Sequence, residues 1–470
     1  MEEFDVVIIG GGQAAAPLSA QLADAKKRVL ICERRLLGGS CVNFGCTPSK
    51  AAIASARVAY LAREAARFGI VVPSVGVDFG AVLGRARSIA DNSRAGVTKY
   101  IADHDVTVWS GHARFMGRSD EGFHISIPGR EARARTVIIN SGARTKVPEI
   151  NGLAEVPYIH AGNWLQLGEI PDHVVFLGAG YIALEMAQFF RRMGSRVTVI
   201  SPGNTVLSHE DTDVVEALLA VLEKEGIVFH LNARVMNVCS VREIVLVKIN
   251  DGHTASTIVG SHVFIAAGRV PNTTDMGLET VGLSLAENGG IPTDEKLASK
   301  VAGIWVAGDA RGREMFTHSA WDDHRVLASQ LLGDGSRTTK NRIVPHALFT
   351  DPELGRVGMT EAEACRWLGE DLVVSRFSMD RNGRAVEEGE TKGFIKLLAD
   401  KRNGTLVGAA VLATHGAEIV SSYITLMNSK GTLSNIRNAI YIHPTLGEAM
   451  QSAVASFPQD LAKILPQPTT

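Results

Sequence analysis

Two segments of the chain share one pattern of apolar and polar positions. Residues 4–33 and 173–201 each open with a run of apolar residues, pass through a glycine-rich turn into a stretch of small and apolar residues, and close with a second apolar run. A short apolar run bounded by turn residues predicts a buried strand, and the longer middle stretch predicts a helix. Each segment is therefore predicted to form a strand–helix–strand unit.

Small residues in both turns have the spacing of a dinucleotide-binding turn. These residues are Gly10, Gly12 and Ala15 in the first unit and Gly178, Gly180 and Ala183 in the second. Glycine permits the tight turn and lets the N–H groups at the start of the helix approach a pyrophosphate. One match of this kind also occurs in an ordinary strand–turn–helix, but two complete units in one chain predict two nucleotide-binding folds.

The last residue of the second strand differs between the two units. Glu33, 23 residues after Gly10, can accept hydrogen bonds from a ribose, so the first unit is the better candidate for a permanently held adenosine-bearing cofactor. Ser201 has the same place in the second unit. A serine neither selects a ribose 2′-hydroxyl as a carboxylate does nor repels a 2′-phosphate. The second site is thus compatible with NADPH, although the following PGNTVL lacks an arginine for that phosphate.

The composition is that of a globular protein with several domains. The chain has 470 residues, 45% of them hydrophobic, and a formal net charge of -2. No polybasic run is present, so we expect neither nucleic acid nor an anionic membrane surface as a partner. No apolar run reaches the roughly 18 residues that span a membrane, and the start MEEFDVVIIGGG is unlike a signal peptide. We therefore expect a cytoplasmic protein.

Two of the five cysteines lie in the segment GGSCVNFGCTPSK, residues 38–50, directly before a predicted helix. Thr47 is a candidate N-cap and Pro48 suits the first helical turn. Cys46 is thus predicted at the positive end of the helix dipole, which lowers a thiol pKa, and Cys41 on a flexible loop can form a disulfide with it. This predicts a redox-active dithiol, the alternative being two small buried thiols.

The other cysteines do not add a second close pair. A four-cysteine zinc site would need one, so we expect no resident metal. The single cysteines Cys32, Cys239 and Cys365 lie in apolar or helical contexts and are interpreted as core residues.

The two units in this order, with the dithiol segment between them, resemble the flavin-dependent pyridine nucleotide-disulfide oxidoreductases, which include dihydrolipoamide dehydrogenase, glutathione reductase and mercuric reductase. The resemblance covers nearly the whole chain. Further matching segments are GHARF (111–115), VIINSGARTKVP (137–148), FIAAGRVPNT (264–273), GIWVAGDA (303–310) and HPTLGEAM (443–450).

The resemblance implies an α/β fold with two Rossmann-like nucleotide-binding domains, for FAD and NAD(P), and a C-terminal α+β dimerisation domain. We expect the first part of the FAD domain at 1–150, the NAD(P) domain at 151–274, the second part of the FAD domain at 275–345 and the interface domain at 346–470.

The resemblance also implies the cofactor-binding residues. FAD would lie along Gly10, Gly12, Glu33 and Asp309, and NADH or NADPH would lie along Gly178 and Gly180. The remaining cofactor-binding residues would be Ala15, Gly39, Ser40, Lys50, Ala113, Gly142, Ser201 and Gly268.

In the family, electrons pass from the nicotinamide to the flavin and on to the cysteine pair. By resemblance, Cys46 would face the flavin as the thiolate, and Cys41 would attack an external disulfide or other acceptor. Lys50 matches the lysine beside the flavin, and Glu185 matches its ion-pair partner.

His443 would take the proton from Cys41 and return it to the leaving thiol, while Glu448 holds the imidazole in the required tautomer. In the family this segment reaches across a two-fold interface to the other subunit's dithiol. The resemblance therefore implies a homodimer whose active site is shared between subunits.

Three hypotheses about the acceptor and role remain. The first is a disulfide or dithiol reductase of the dihydrolipoamide type, although such enzymes usually carry an acid at the position of Ser201. The second is a metal-ion or reactive-species reductase: residues 316–339 look most like a mercuric-reductase-like branch, but the end LAKILPQPTT lacks the cysteine pair of mercuric reductases. The third is a non-catalytic flavoprotein scaffold, which the complete dithiol and histidine set argues against.

Overall fold

The computed structural model describes residues 1–242 and 244–458. The first part of the chain contains, in order, β1 (Glu2–Ile9), α1 (Ala15–Asp24), β2 (Val29–Glu33), α2 (Gly39–Asn43), α3 (Cys46–Arg63), α4 (Phe79–Asp103), β3 (Thr107–Ser110), β4 (Arg114–Ser119), β5 (Gly122–Ile127), β6 (Arg130–Ile139) and β7 (Ala143–Thr145). Strands β3, β2, β1 and β6 pair in parallel, and β5 and β4 continue the sheet antiparallel. The predicted unit at 4–33 is thus observed as β1, α1 and β2.

The middle of the chain forms a second parallel sheet. Its elements are β8 (Tyr158–His160), β9 (His173–Leu177), α5 (Tyr181–Met193), β10 (Arg196–Ile200), α6 (Thr212–Lys224), β11 (Ile227–His230), β12 (Arg234–Val241), β13 (Ile244–Asn250), β14 (Ala255–Gly260) and β15 (His262–Ile265). The parallel order is β11, β10, β9, β15 and β8, and β12 to β14 form a separate antiparallel sheet. The second predicted unit is observed as β9, α5 and β10. Every residue of β9 is buried, as expected of a strand covered on both faces.

The chain then returns to the first sheet. The next elements are β16 (Arg269–Pro271), β17 (Ile304–Val306) and α7 (Thr317–Leu332). Strand β17 pairs in parallel with β6 of the first sheet, while β16 and β7 pair in a separate two-stranded sheet. The first sheet is therefore built from segments that lie before and after the second sheet in the sequence.

The last part of the chain is an antiparallel sheet with helices. It contains β18 (His346–Leu348), β19 (Glu353–Gly358), α8 (Glu361–Leu368), β20 (Leu372–Ser378), α9 (Gly383–Glu387), β21 (Phe394–Asp400), β22 (Thr405–Ala413), α10 (Gly416–Asn428), α11 (Leu433–Arg437) and α12 (Ala449–Ala455). The strand order is β18, β19, β22, β21 and β20. Of the region expected at 346–470, residues 459–470 lie outside the described residues, and so does the terminal LAKILPQPTT.

Short 3₁₀ helices connect these elements at Ala65–Phe68, Leu153–Glu155, Trp164–Gln166, Leu278–Val281, Gly308–Arg311, Gly369–Asp371 and Met379–Arg381. One apolar cluster joins the three parts of the molecule, because Ala52 of α3, Phe79 of α4, Phe176 of β9 and Leu354 of β19 are all buried in it. The arrangement confirms the predicted α/β fold class, while the domain boundaries stay a prediction. Within the described ranges, none of the helices has the length and apolar content needed to cross a bilayer.

Candidate active site

The two glycine turns adopt backbone conformations that require glycine. Gly10 follows β1 with φ +103°, and a Cβ there would lie 2.3 Å from the carbonyl oxygen of Asn140. Gly178 follows β9 with φ +110°, and a Cβ there would lie 2.4 Å from the carbonyl oxygen of Ala266. Because a side chain is excluded sterically and a positive φ is costly for other residues, glycine is needed at both turns. Each turn leads into the N-terminus of a helix.

A cavity of about 1740 Å³ connects the two turns. This volume exceeds the roughly 300–1,000 Å³ of a typical small-molecule pocket, as two nucleotides would require. The predicted site residues on its wall are Gly12, Glu33, Gly39, Ser40, Cys41, Cys46, Lys50, Gly142, Gly178, Gly180, Glu185, Ser201, Gly268 and Asp309.

The wall has the features of a nucleotide cradle. A Cβ added to Gly142, Gly180 or Gly268 would meet no atom within 4 Å, so these glycines leave open space where a side chain would project. Gly180 has an ordinary backbone conformation and directly precedes α5. Since a pyrophosphate needs close access to helix N–H groups, the residues present fit bound dinucleotides at both turns.

Five predicted site residues lie away from the cavity wall. Gly10 and Ala15 shape the first turn from behind, and Ala113 is buried in the apolar core of the first sheet, because it lies between β3 and β4 with its methyl group directed inward. The side chain of Ala113 is therefore not brought to the cavity. His443 and Glu448 also lie elsewhere in this chain.

Glu33 and Asp309 lie on the wall beside the first turn, and each has a partner. The Oε2 of Glu33 accepts a hydrogen bond from the Gly11 N–H at 2.7 Å, and its Oε1 accepts one from the Arg35 N–H at 2.7 Å. Burial raises the pKa of Asp309, and an ion pair of 2.9 Å with Arg269 opposes that rise. Glu33 therefore fixes the turn in addition to any contact with a ribose.

The cysteine segment folds differently from the prediction in two details. Cys41 lies within the short helix α2 and not on a flexible loop. Helix α3 begins at Cys46, with Gly45 as N-cap, so Thr47 lies inside the helix and does not cap it. With Gly45 as N-cap, the helix begins two residues earlier than it would with Thr47 as N-cap. Cys46 therefore occupies the first helical position, at the positive end of the dipole as predicted.

The two thiols share one proton between unequal sites. The hydrogen bond from Cys41 contributes most to a pKa of about 6 for Cys46, with further lowering by the charge of Lys50 and the hydroxyl of Thr317, while burial opposes it. The Cys46 Sγ lies 3.3 Å from the Thr317 Oγ1. The same hydrogen bond, together with burial, raises the pKa of Cys41. Cys46 is thus the thiolate of the pair at neutral pH, and Cys41 is its proton donor.

Lys50 and Glu185 meet as predicted. The Lys50 Nζ lies 2.7 Å from the Glu185 Oε2 and 4.5 Å from the centre of the Phe349 ring. The other carboxylate oxygen of Glu185 accepts a hydrogen bond from the Phe349 N–H at 3.0 Å. This contact joins α3, α5 and the start of the C-terminal sheet on the cavity wall that also carries the two thiols.

His443 and Glu448 form a pair of their own. The His443 Nδ1 lies 2.9 Å from the Glu448 Oε2, which is the contact needed to orient the imidazole. The His443 side chain is 76% exposed. The structure therefore brings these two residues together but leaves them apart from the cysteines of the same chain.

Sequence reasoning missed three residues that contact the predicted site residues. Thr317, Phe349 and Arg269 contact Cys46, Lys50 and Asp309 respectively, from segments far along the chain. Thr317 and Arg269 lie in segments that resemble family members, 316–339 and 264–273, which is the only signal that could have found them, and Phe349 lies in no such segment. His318 lies next to Thr317 on the cavity wall with its Nε2 2.6 Å from the Pro345 carbonyl oxygen, and burial lowers its pKa.

The interpretation of the single cysteines was wrong for two of them. Cys32 is a core residue of β2, and burial raises its pKa to about 12. Cys239 and Cys365 are exposed. Cys239 lies on the edge strand β12, next to the buried Val238. Cys365 lies on the outer face of α8, whose buried residues are Ala364 and Leu368.

Comparison with known proteins places the chain among flavoprotein reductases. The family described as pyridine nucleotide-disulphide oxidoreductase matches residues 4–323, and its dimerisation domain matches residues 344–454. A dihydrolipoyl dehydrogenase of Cupriavidus necator is 31% identical over 464 residues, covering 96% of this chain and 97% of the relative. A mercuric reductase of Streptomyces lividans is 29% identical over 468 residues, covering 98% of each.

A solved structure has the same fold over nearly its whole length. It is the Cu(II) complex of the HOCl-induced flavoprotein disulfide reductase RclA from Escherichia coli. The TM-score is 0.88 at 30% sequence identity, and the match covers 97% of this chain and 99% of that chain.

Proposed function

Because the chain belongs to the pyridine nucleotide-disulphide oxidoreductase family, we propose that Cys41 and Cys46 are the redox-active pair through which it reduces its acceptor. The protein is a flavin-dependent NAD(P)H oxidoreductase, as its relatives are. FAD, when bound, carries two electrons from NAD(P)H to the cysteine pair. The proposal concerns what the residues of this chain then do.

The observation that carries the proposal is the unequal pair at the start of α3. Cys46 is held as a thiolate by the hydrogen bond from Cys41, the charge of Lys50 and the hydroxyl of Thr317, while Cys41 keeps its proton. A thiolate and a thiol in contact on a cavity wall can close and reopen a disulfide with little movement. Lys50, fixed by Glu185, supplies the positive charge that this state requires.

In the proposed reaction Cys41 loses its proton and attacks one sulfur of a disulfide acceptor. A Cys41–acceptor mixed disulfide forms and the first acceptor thiol leaves with a proton. The Cys46 thiolate then attacks the Cys41 sulfur, which closes the Cys41–Cys46 disulfide and releases the second acceptor sulfur as a thiolate that takes a proton from solvent. Two electrons pass to the acceptor, and the two electrons and one proton of a hydride equivalent from NAD(P)H return the pair to one thiol and one thiolate and leave NAD(P)⁺.

The proton of Cys41 needs a base, and His443 is the proposed one. The dimerisation domain points to a homodimer. We place His443 of one chain against the dithiol of the other, since within its own chain it is exposed and remote from Cys41. Glu448 accepts a hydrogen bond from the imidazole Nδ1, which leaves Nε2 free to take the proton.

The solved copper complex favours a second candidate acceptor. RclA binds Cu(II) in that structure. In this chain both thiols face the cavity, and thiolate is a soft ligand suited to copper. The dithiol would reduce two Cu(II) ions to Cu(I), with one electron to each, and become the disulfide with release of its protons.

The test uses Cys41→Ser in the FAD-loaded protein. We expect NAD(P)H to reduce the flavin in this variant as fast as in the wild type, because Cys46 and Lys50 remain, while turnover of lipoamide falls by about 10³-fold or more because no thiol can attack it. Stopped-flow absorbance follows the flavin, and steady-state oxidation of NAD(P)H follows turnover.

Cys239→Ser is the matched control, since Cys239 is an exposed thiol on β12, and this variant should behave as wild type in both assays. Full lipoamide turnover by Cys41→Ser would contradict the role of the pair. Turnover of Cu(II) without turnover of lipoamide, lost in Cys41→Ser, would instead select the second candidate.

A further inference from the structure

The second nucleotide turn has no carboxylate where one would select NADH. Ser201 follows β10 at that place, is buried, and accepts a hydrogen bond from the Gly203 N–H at 3.2 Å. The carboxylates on the cavity wall are those of Glu33, Glu185, Asp309 and Glu418. None of these belongs to the segment around Ser201, so nothing described on this part of the wall repels an added phosphate.

An arginine from a distant strand lies beside this place. The chain at 232–234 runs along the chain at 201–203, because the Ala233 N–H donates to the Ser201 carbonyl oxygen at 2.9 Å. The Asn232 N–H likewise donates to the Gly203 carbonyl oxygen at 2.8 Å. Arg234 comes next, as the first residue of β12, and lines the cavity together with Ser201.

Arg234 is available to a ligand, whereas Arg269 and Arg144 on the same wall are engaged by protein atoms, and Arg34 and Arg35 follow Glu33 beside the first turn. Arg269 pairs with Asp309 at 2.9 Å, and Arg144 donates to the Pro271 carbonyl oxygen at 3.0 Å. Throughout the described part of the chain, no carboxylate forms an ion pair with Arg234, and Arg234 itself is exposed to solvent. A free guanidinium at the edge of a nucleotide cavity suits a dianionic phosphate, which it can contact with two parallel hydrogen bonds.

We propose that Arg234 binds the 2′-phosphate of NADPH and that this enzyme prefers NADPH to NADH. This inference rests on the proposed function, because the nucleotide at the second turn is the electron donor. Ser201 makes room for the phosphate and Arg234 supplies the charge that the segment directly after Ser201 lacks. In an NADH site, one acidic residue at the end of the second strand binds the ribose 2′-hydroxyl. Here two residues on different strands, Ser201 and Arg234, together accommodate the 2′-phosphate.

The binding test compares 2′,5′-ADP with 5′-AMP, which differ only by the 2′-phosphate. Calorimetric titration of the FAD-loaded protein should show that 2′,5′-ADP binds about 10-fold or more tightly than 5′-AMP, the strength of one charge-assisted contact. Arg234→Gln should remove that difference and leave the affinity for 5′-AMP within about 2-fold, because only the phosphate contact is lost.

Arg196→Gln is the matched control. Arg196 is an exposed arginine at the opposite end of β10, five residues before Ser201 and thus roughly 16 Å from it. This variant should retain the wild-type preference. A second readout is kcat/KM for each nucleotide with the same acceptor, in which Arg234→Gln should lower the value for NADPH alone.

The outcomes separate this inference from the proposed function. Reduction of the flavin by NADH at least as efficiently as by NADPH would overturn the inference and leave the function intact. An equal loss of affinity for both analogues in Arg234→Gln would overturn the phosphate contact as well. Failure of both NADH and NADPH to reduce the flavin would instead overturn the proposed function itself.

Discussion

Cys46 is a thiolate because of contacts that come from three helices, α2, α3 and α7. Cys41 gives the largest effect, Lys50 is one helical turn further along α3, and Thr317 begins α7. Burial and the carboxylate of Glu185 act in the opposite direction. The pKa of about 6 is therefore a balance, and removal of one favourable contact should shift it measurably.

Replacement of Thr317 by valine keeps the shape of the side chain and removes the hydroxyl that lies 3.3 Å from the Cys46 Sγ. We expect the pKa of Cys46 to rise by up to about one unit, the equivalent of one hydrogen bond to a charged group. The rate at which a small alkylating agent modifies Cys46 in the reduced protein, read by mass spectrometry, measures the thiolate fraction against pH.

The sign of this effect depends on pH. Near pH 6 the valine variant should react more slowly than the wild type, because fewer Cys46 side chains are ionised. At pH values well above the pKa both proteins hold the thiolate and should react alike. Thr317→Ser retains the hydroxyl and should follow the wild-type curve, while equal curves for all three proteins would remove Thr317 from the account.

The sequence predicts the part of this site that is local or repeats a family pattern. Cys41, Cys46 and Lys50 lie within one short segment, and Glu185 follows a recognisable glycine turn. Thr317 could not be assigned in this way, since its contact with Cys46 spans 271 residues and a threonine before a helix is usually only a cap. Arg234 was missed for the same reason, because β12 approaches Ser201 only in the folded chain.

At the scale of elements, a buried ion-pair cluster joins α3, α5 and the C-terminal sheet. Arg192 of α5 is 4% exposed and lies 2.8 Å from Asp351 and 2.7 Å from Glu225. Arg57 of α3 also pairs with Asp351. Although burial raises it, the pKa of Asp351 is lowered overall by the charges of Arg192 and Arg57. The Asp351 carboxylate therefore links α3 and α5 to strand β19, which begins two residues after Asp351.

Replacement of Asp351 by asparagine should destabilise the protein, because Arg192 and Arg57 would lose their shared counter-charge while largely buried. We expect a loss of about 3–5 kcal/mol in the free energy of unfolding, as for other broken buried pairs. Denaturant unfolding followed by circular dichroism measures it. Asp103→Asn, which breaks an exposed pair with Lys99, should cost under about 1 kcal/mol.

The same substitution should change the response to acid. Since the folded pKa of Asp351 lies below its unfolded value, its stabilisation is present above roughly pH 4 and is lost as the pH falls through the folded pKa. The wild type should therefore lose stability faster than Asp351→Asn over that acid range. Parallel acid profiles for the two proteins would contradict the role given to this carboxylate.

Not every secondary-structure element can be predicted from the pattern of hydrophobic residues. The strands and helices of both nucleotide units follow from apolar runs and glycine turns, but α2 was predicted as a loop. Its five residues are too few to show a helical period, and it is held by the Asn43 side chain, which donates to the Leu37 and Gly39 carbonyl oxygens at 2.8 and 2.9 Å. Such side-chain contacts to the backbone leave no signature in hydrophobicity.

At the scale of the whole molecule, large apolar side chains next to His443 in the sequence are exposed to solvent. Ile440 is 100% exposed and Ile442 is 80% exposed, although both are large apolar residues. Exposed apolar residues that cluster beside a polar functional group mark a contact surface. In the proposed arrangement a second copy of the chain covers these residues and brings its dithiol to His443, since His443 does not line the cavity of its own chain.

Two inactive variants should therefore restore activity to each other. Cys41→Ser removes the proposed attacking thiol and His443→Gln removes the proposed base, so each homodimer should turn over lipoamide poorly. In a heterodimer of the two, one site would combine the intact Cys41–Cys46 pair of one chain with the intact His443 of the other. The second site would contain both changes.

Such a heterodimer, isolated with two affinity tags after co-expression, should show about half of the wild-type turnover, because one of two symmetric sites is complete. If each site were built within one chain, every site of the heterodimer would carry one defect and its activity would stay at the level of the two homodimers.

The comparison uses flavin reduction by NAD(P)H as an internal control, because neither substitution should impair that step. Recovery of half the activity is thus evidence for a shared site, and its absence in a verified heterodimer would place the base of Cys41 elsewhere.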